Sequence, residues 1–507
     1  MLDPLGQFAT FGSDIMWIRR CQIDARLEAP LPIPTQIASN EEFIPPPQSL
    51  DQKKVEALTL HLAEKPAKAQ GLSRREFLRT GSGMAAGLLA MNEVFGNCFS
   101  VEAAEIKDQK AYVEKWPKNQ FIFDVQTHHV DVEPSWYTNT PDGQAMLNLL
   151  RSFRREAFDL KGAVELLNLD HYVKEIFFDS DTVMAIISGV PTAEWNKNPL
   201  PPDRMVATRK HVNGLAGSRR VLSHGLLRPN LGPSELDEME RQVKTLKVDA
   251  WKMYTGAEIG KDAWWLDDEK VAYPFWERTL KLGVRNVCVH KGLPLGIFNE
   301  EHCKPRDVLK AAKDFPNLNF ILYHSGFRGF TRLRDNEKKS PNPQEIPWIS
   351  DVIKMCNENP NVKNIYFELG STFGQTSAYA PEVCMHMLGQ MLQVPNGEER
   401  ILWGTDSIWG GSPQSQIVRL RRLKIKDELI EKYHYPQLTE SIKNKIFGLN
   451  SAKLFGVDVK ASRKAIATDK LTAFKEQYET APQPSNTQYG WIWKPERGKR
   501  PAAPIGS

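Results

Sequence analysis

The chain has 507 residues, 41% of them hydrophobic and 25% charged, which is the profile of a folded globular protein with one large core or two or three ordinary domains. A formal net charge of +4 is small for this size, and no basic run is interleaved with aromatic residues, so a nucleic-acid partner is not expected. The six cysteines are scattered with no CxxC pair, which argues against a zinc knuckle and a dithiol redox motif; Cys288, inside an apolar run, reads as a small core residue.

From the N-terminus, residues 1–72 are rich in proline and charge (PLPIP, EEFIPPP, AEKPAKAQ) with little periodicity, and a disordered extension is expected there. Residues 73–104 form a distinct segment. In LSRREFLRTGSGMAAGLLAMNEVFG, Arg74-Arg75 precede Phe77-Leu78, and no residue from Thr80 to Asn92 is charged. The uncharged run is too short for an ordinary membrane span and has the layout of a secretory signal. SRREFLR resembles the twin-arginine (Tat) export signal, which implies the Tat translocase as a partner during export and a periplasmic location. Val101-Glu102-Ala103 is a fair small-residue cleavage site, so the mature chain would begin near Ala104. The plainer alternative is a surface basic cluster before a short buried helix.

Over residues 115–458 short apolar runs alternate with amphipathic stretches. Eight strands are expected, in FIFDVQTH (121–128), VMAIISGVP (183–191), VLSHGLLRP (221–229), VDAWKMYTG (248–256), NVCVHKG (286–292), NFILYHSG (319–326), IYFELGS (365–371) and ILWGTDS (401–407). Between them, stretches such as SELDEMERQVKTLK and PRDVLKAAKDFP place apolar residues at helical spacing. Eight strands alternating with helices point to an α/β architecture of the (β/α)8 TIM-barrel type. A doubly wound sheet would show a glycine-rich phosphate loop after its first strand, where this chain has histidines.

In five of the runs a His or Asp falls toward the C-terminal end: His128, His224, His290, His324 and Asp406. Barrel enzymes build their sites at that end. One such histidine is more often structural than catalytic; several on one rim, with an Asp on the last strand, are hard to explain as independent accidents. Residues 459–507 form a C-terminal tail whose Trp491 and Trp493 suit packing onto the barrel or against a neighbouring subunit.

The ordered set FDVQTH, LDDEKVAYPFWERTLKLGVRNVCVH, PRDVLKAAKDFPNLNFILYHSG, RILWGTDSIW and KIFGLNSAKLFGVD resembles the amidohydrolase-related enzymes of the aminocarboxymuconate-semialdehyde-decarboxylase type, over most of residues 120–458. The resemblance implies a metal-dependent barrel. An HxH pair on the first strand, a His on the fifth and an Asp on the eighth would bind the metal, with a His on the sixth beside it. Carried over by position, it implies His128, His290 and Asp406 as ligands and His324 as the neighbouring catalytic histidine. Asp406 is also the expected proton acceptor. Gln126 stands where the first histidine of the pair would be, as a weaker candidate ligand through its amide oxygen or a hydrogen-bond partner of a bound water.

Imidazoles and a carboxylate suit Zn²⁺, with Mn²⁺ or Fe²⁺ as alternatives. His129 should point away from the barrel centre by strand alternation. Lys252, Arg228, Arg328 and His224 are candidate substrate contacts, although surface ion pairing explains the two arginines equally well. The loops that would choose a substrate (131–145, 257–268, 293–304, 327–345) match no known pattern. The leading expectation is hydrolysis of an ester, lactone or amide bond in a small-molecule substrate at a mononuclear metal. Non-oxidative decarboxylation is the alternative, and a barrel without catalysis serving as a binding module is a lesser one. The resemblance also makes a homodimer an open expectation.

Overall fold

Eight parallel strands follow one another around a single sheet in sequence order. They are β1 (Phe123–Thr127), β2 (Met184–Ile187), β3 (Val221–Leu226), β4 (Ala250–Tyr254), β5 (Asn286–His290), β6 (Asn319–Tyr323), β7 (Ile365–Glu368) and β8 (Ile401–Leu402). Each pairs with the next, and the ends meet through the Val125 N–H to Trp403 C=O bond (3.0 Å), the Asp406 N–H to Gln126 C=O bond (2.9 Å) and a Thr127–Ser407 bridge. The expected (β/α)8 barrel is what forms. This computed structural model describes residues 17–20, 30–39, 45, 47–117, 119–131, 167–191, 198–256, 263–294, 298–330 and 344–493. Parts of each of the four loops singled out above lie outside those residues.

The strands are near-continuous apolar runs because a parallel strand in a barrel is buried on both faces. Phe123, Val125, Ile186, Leu222, Cys288 and Ile321 belong to one buried cluster, so Cys288 is a core residue as read from the sequence. On the outside, helices present one apolar stripe each. Ile349–Glu358 buries Ile349, Val352, Ile353 and Cys356, the spacing of a single helix face. In the helix Tyr273–Lys281, Trp276 sets its ring edge-on to Phe320 of β6 at 5.8 Å. Register then levels the functional ends: Tyr254 lies beside His290, and His290 beside Tyr323.

The expectation of a disordered extension over 1–72 needs correction for its described part. Leu50–Ala69 is a helix opened by a capping box between Ser49 and Gln52, and it buries Val55, Thr59, Ala63 and Ala67 at four-residue spacing. That stripe is made largely of Ala and Thr, too weakly apolar to stand out as a period. Its use is close packing. The helix Gly81–Phe95 lies against it, burying Ser82, Met84, Ala86, Leu88 and Met91 among others. A Cβ on Gly83 would come within 2.3 Å of the Phe77 carbonyl oxygen, so the approach there is possible only for glycine.

The run that resembles an export signal is a largely buried helix in this fold. Phe77, Leu78, Leu88 and Phe99 share a buried cluster with Leu420 and Leu423 of the barrel's outer layer. Ser100 N–H donates to Arg422 C=O at 2.8 Å, Lys424 N–H to Cys98 C=O at 3.0 Å, and the Arg422 guanidinium meets buried Glu105 at 2.9 Å. No helix among the described residues is long and apolar enough to cross a membrane.

At the other end, helices Val459–Ile466 and Lys470–Tyr478 lead to Trp491–Trp493, which pairs antiparallel with Trp17–Arg19. Tyr489 and Gly490 N–H both donate to the Trp409 carbonyl, tying the tail to the segment after β8.

A chain beginning at Ala104 should lose the packing of Phe77, Leu78 and Leu88 and strand Glu105 beside a newly uncovered face. Its thermal unfolding midpoint is expected to fall by on the order of 10 °C relative to the full chain, or the protein to become insoluble. An unchanged midpoint in differential scanning calorimetry would show that these helices contribute nothing to the fold.

Candidate active site

The site starts where the barrel closes. After the two residues of β8 the chain runs irregularly from Trp403 to Ser407, and Asp406 adopts a positive φ of 61° while its N–H holds the Gln126 carbonyl. Its carboxylate is buried and engaged on both oxygens. Oδ1 accepts from Gln126 Nε2 at 3.0 Å and stands 3.0 Å from His128 Nε2, and Oδ2 accepts from the Ser371 hydroxyl. Three of the sequence candidates, Gln126, His128 and Asp406, are therefore in direct contact. Trp409 lies nearby, its ring centre 6.3 Å from that of His128.

The second half of the site is an imidazole cluster at the ends of β5 and β6. His290 stacks on Tyr254 at 4.5 Å and 11°, and the ring of His324 crosses it at 4.8 Å and 67°. Phe298 lies 5.5 Å from His290 on another side. His324 and Ser325 both have left-handed backbones (φ 68° and 54°), an unfavourable turn that the surroundings fix. The His324 N–H donates to Glu368 Oε2 at 3.0 Å, Thr372 Oγ1 donates to the His324 carbonyl at 2.9 Å, and Ser325 Oγ donates to the Glu368 carbonyl at 2.7 Å.

Glu368, the last residue of β7, was not among the residues singled out from the sequence. Its signal was there: an acid closing an apolar strand run, at the rim position that His128 and His290 occupy in theirs. Its carboxyl is fully buried, Oε1 has no hydrogen-bond partner, and burial pushes its pKa up to about 7 against the opposing pull of His324. Two glycines make the room. A Cβ at Gly404 would fall 1.7 Å from Glu368 Oε1. At Gly370, with φ +40°, it would fall 2.8 Å from Gln126 Oε1 and 2.9 Å from both Glu368 Oε2 and His324 Nδ1. The bare α-carbon of Gly370 is where the carboxylate half and the imidazole half come together.

The other candidates are placed as follows. Lys252 on β4 is buried with its ammonium 3.8 Å from the centre of the Tyr323 ring and 5.1 Å from that of Tyr254, a cation held on aromatic faces. His224 on β3 is buried, its Nε2 3.3 Å from the Tyr323 hydroxyl, and burial followed by the Lys252 charge holds its pKa well below the usual value, so it is neutral. His129 sits outside this cluster: its Nε2 is 2.7 Å from Thr208 Oγ1, its ring lies against Tyr172, and burial lowers its pKa to about 4. The guanidinium fork of Arg228 closes on Glu235 at 2.8 and 2.7 Å, and Arg328 Nε meets Glu300 at 3.1 Å. Asp124, one step below Gln126, accepts the N–H of Gln126 and of Thr405 at 3.1 Å each and so braces β1 against the loop that carries Asp406.

Among the described residues no group of three or more His, Cys, Asp or Glu side chains stands in position to hold a metal ion. In kind the donors nonetheless suit a divalent ion. His128 Nε2 and Asp406 Oδ1, 3.0 Å apart, have the separation of neighbouring donors on an ion with bonds of about 2.1 Å. Gln126 Oε1 is a buried oxygen with no partner. His290, the remaining member of the expected set, lies in the adjoining imidazole cluster.

Residues 213–457 match the amidohydrolase family model, a stretch that takes in β3 through β8. A search of curated proteins gave no match. Among solved structures, 2,6-dihydroxybenzoate decarboxylase from Rhizobium is similar at 16% identity over 67% of this chain and 99% of its own, with a TM-score of 0.39. 4-Oxalomesaconate hydratase from Rhodopseudomonas palustris is similar at 15% identity over 68% and 99%, with a TM-score of 0.40. 5-Carboxyvanillate decarboxylase from Novosphingobium aromaticivorans, complexed with manganese, is similar at 13% identity over 67% and 97%, with a TM-score of 0.39. At such identities and scores nothing about the activity of this chain follows from them.

Two outcomes are expected from this geometry. Gly370→Ala combines a strained φ with a methyl group driven at three polar atoms, and should cost about 1–3 kcal/mol of stability in urea unfolding. Gly410→Ala, where an added Cβ meets nothing within 4 Å, should cost close to none. Glu368 carries a raised pKa, so its carboxyl contributes stability that is fully present below its ordinary value of 4.5 and is lost as pH rises through about 7. With metal removed by chelator, Glu368→Gln should therefore gain on the wild type in unfolding free energy between about pH 5 and about pH 8. A pH-independent difference would show that Glu368 does not titrate in that range.

Proposed function

We propose that the chain is a metal-dependent hydrolase of the amidohydrolase type, cleaving an ester, lactone or amide bond in a small molecule, with His128, His290 and Asp406 holding the ion. The observation that carries this reading is the contact of His128 Nε2 with Asp406 Oδ1 at 3.0 Å, which brings the first and last strands of the barrel to one point at its C-terminal rim. A bound divalent ion, Zn²⁺ or alternatively Mn²⁺ or Fe²⁺, would supply Lewis acidity that polarises a carbonyl and acidifies water.

The side chains supply the rest. Asp406 takes the proton from the attacking water at Oδ2, where Ser371 now donates its hydroxyl hydrogen, and returns it to the leaving group. His324, turned into the site by its left-handed backbone, donates a ring N–H to the oxyanion that develops at the carbonyl. Glu368 keeps that turn in place through the His324 N–H. Lys252, fixed on Tyr323, sets a positive charge in the barrel floor that favours an anionic substrate group. Tyr254 and Phe298 exclude water from the parts of the His290 ring they cover.

Non-oxidative decarboxylation is the second reading, and Glu368 is what favours it. A buried carboxyl with a pKa near 7 is suited to deliver a proton to the carbon that loses CO₂. Twin-arginine export to the periplasm belongs to the proposal on the strength of SRREFLR. To be read as a signal, the helix Gly81–Phe95 must leave its seat on Leu50–Ala69.

The purified protein should carry about one divalent ion per chain by plasma mass spectrometry. Supplied with 4-nitrophenyl esters, simple lactones and anilides in H₂¹⁸O, it should release acids carrying one ¹⁸O. Asp406→Asn should lower kcat by about 10²–10⁴-fold with an unchanged circular dichroism spectrum. Release of CO₂ from hydroxybenzoates, with no bond cleavage in the first panel, would replace hydrolysis by the second reading.

A further inference from the structure

Two oxygen atoms in the site have nothing to bond to. Gln126 Oε1 and Glu368 Oε1 are both buried and both lack a hydrogen-bond partner, a costly state for any acceptor. They belong to neighbouring side chains. Gln126 Oε1 and Glu368 Oε2 lie 2.8 and 2.9 Å from one spot beside Gly370, and the slot at Gly404 that admits Glu368 Oε1 is 3.2 Å from Gln126 Cβ. The amide donates its Nε2 hydrogen to Asp406 at 3.0 Å, and in that orientation it turns an acceptor, not a donor, toward the carboxyl of Glu368.

Resting on the metal-dependent reading above, we propose that Gln126 is a reversible ligand whose side-chain amide turns over when the ion binds. Oε1 then joins His128 Nε2 and Asp406 Oδ1 around the ion, and Nε2 donates to Glu368. One rotation gives Gln126 Oε1 a partner in the ion and turns a donor, in place of an acceptor, toward the Glu368 carboxyl. It needs no repacking, because the two ends of an amide are nearly the same size. The position 3.0 Å from Asp406 Oδ1 then holds an oxygen, at the separation of two donors on one ion. Without the ion the turned amide would face the Asp406 carboxylate oxygen with its own oxygen and nothing between them, so it turns back and donates its hydrogen.

This accounts for the residue type. A carboxylate at position 126 could not donate to Asp406 or to Glu368, and it would add a third acid to a buried pair. An imidazole could not exchange donor for acceptor at one place by a half-turn of its end. Glutamine does both, and no bond is made or broken in the change.

The test is a double-mutant cycle on ion affinity, read by isothermal titration calorimetry of the full chain stripped of metal, with MnCl₂ and in parallel ZnCl₂. Gln126→Met, of similar volume and without the oxygen, should weaken binding by about 10–100-fold. Glu368→Met should weaken it by about tenfold in the presence of Gln126 and hardly at all in the Gln126→Met background, since the Nε2–Glu368 bond exists only in the turned state. Additive losses, or wild-type affinity in Gln126→Met, would overturn the proposal. If Glu368→Met fails to fold by circular dichroism, Glu368→Gln takes its place. Its neutral oxygen should give a smaller loss, again confined to the background with Gln126, and an equal loss in both backgrounds would again overturn it. A wild-type chain that binds neither ion would overturn the metal-dependent reading as well, whereas tight wild-type binding with additive losses would overturn the amide rotation alone.

Discussion

The contact between Gln126 and Asp406 is the interaction on which the rest of the structure depends. The backbone N–H of Asp406 bonds the carbonyl of Gln126 at 2.9 Å, and the side chains of the same two residues bond at 3.0 Å. The first bond closes the barrel between its first and last strands; the second assembles the candidate site across the same seam. Because β8 has only two residues, the segment after it is held by such bonds across the seam, with the Val125 N–H on the Trp403 carbonyl and the Thr127–Ser407 bridge beside them. Asp124 adds support from below, through the N–H groups of Gln126 and Thr405. Closing the fold and bringing His128 to Asp406 are one event, and a change that loosens the seam loosens both.

From that seam the site grows by way of glycine. Gly404 lets the Glu368 carboxyl approach β1, and Gly370 lets Gln126, Glu368 and His324 converge where a side chain would otherwise stand. Glu368 in turn fixes the left-handed turn at His324, which carries that ring to His290. The sequence of dependence therefore runs from a backbone closure through two absent side chains to the orientation of two imidazoles. Burial sets the electrostatics along the way: it raises Glu368, and it keeps His224 neutral beside Lys252.

The barrel and much of the site were legible in the sequence because they rest on local pattern. Apolar runs of strand length, helical stripes between them, and polar residues at the strand ends are all readable without knowing what touches what. The strand-end positions of His128 and Asp406 were legible for this reason, and so was the outward placement of His129, whereas Gln126 was singled out through the resemblance. Glu368 was passed over because its role depends on two distant glycines, and a glycine's empty volume has meaning only once its neighbours are known. The extension was misjudged for a related reason. Val55, Thr59, Ala63 and Ala67 form a faint stripe by hydrophobicity and an effective one by size, because small residues let Gly81–Phe95 come close. For Arg228 and Arg328 ion pairing was an equal reading from the start, but the acids that supply it, Glu235, seven residues on, and Glu300, were not readable without the fold.

The ribbon between Trp17–Arg19 and Trp491–Trp493 brings regions near the two ends of a 507-residue chain side by side, and the Trp409 carbonyl anchors that meeting point to the segment carrying Asp406. From Trp17 to Trp493 the polypeptide is in terms of topology nearly a closed loop, with its join set against the rim of the candidate site. A linker from Trp493 to Trp17 would have little distance to cover, so the backbone between them could be opened elsewhere and the order of its elements rotated with the fold's neighbours unchanged. The same closeness means that a change to this ribbon is felt first by the loop that holds Asp406.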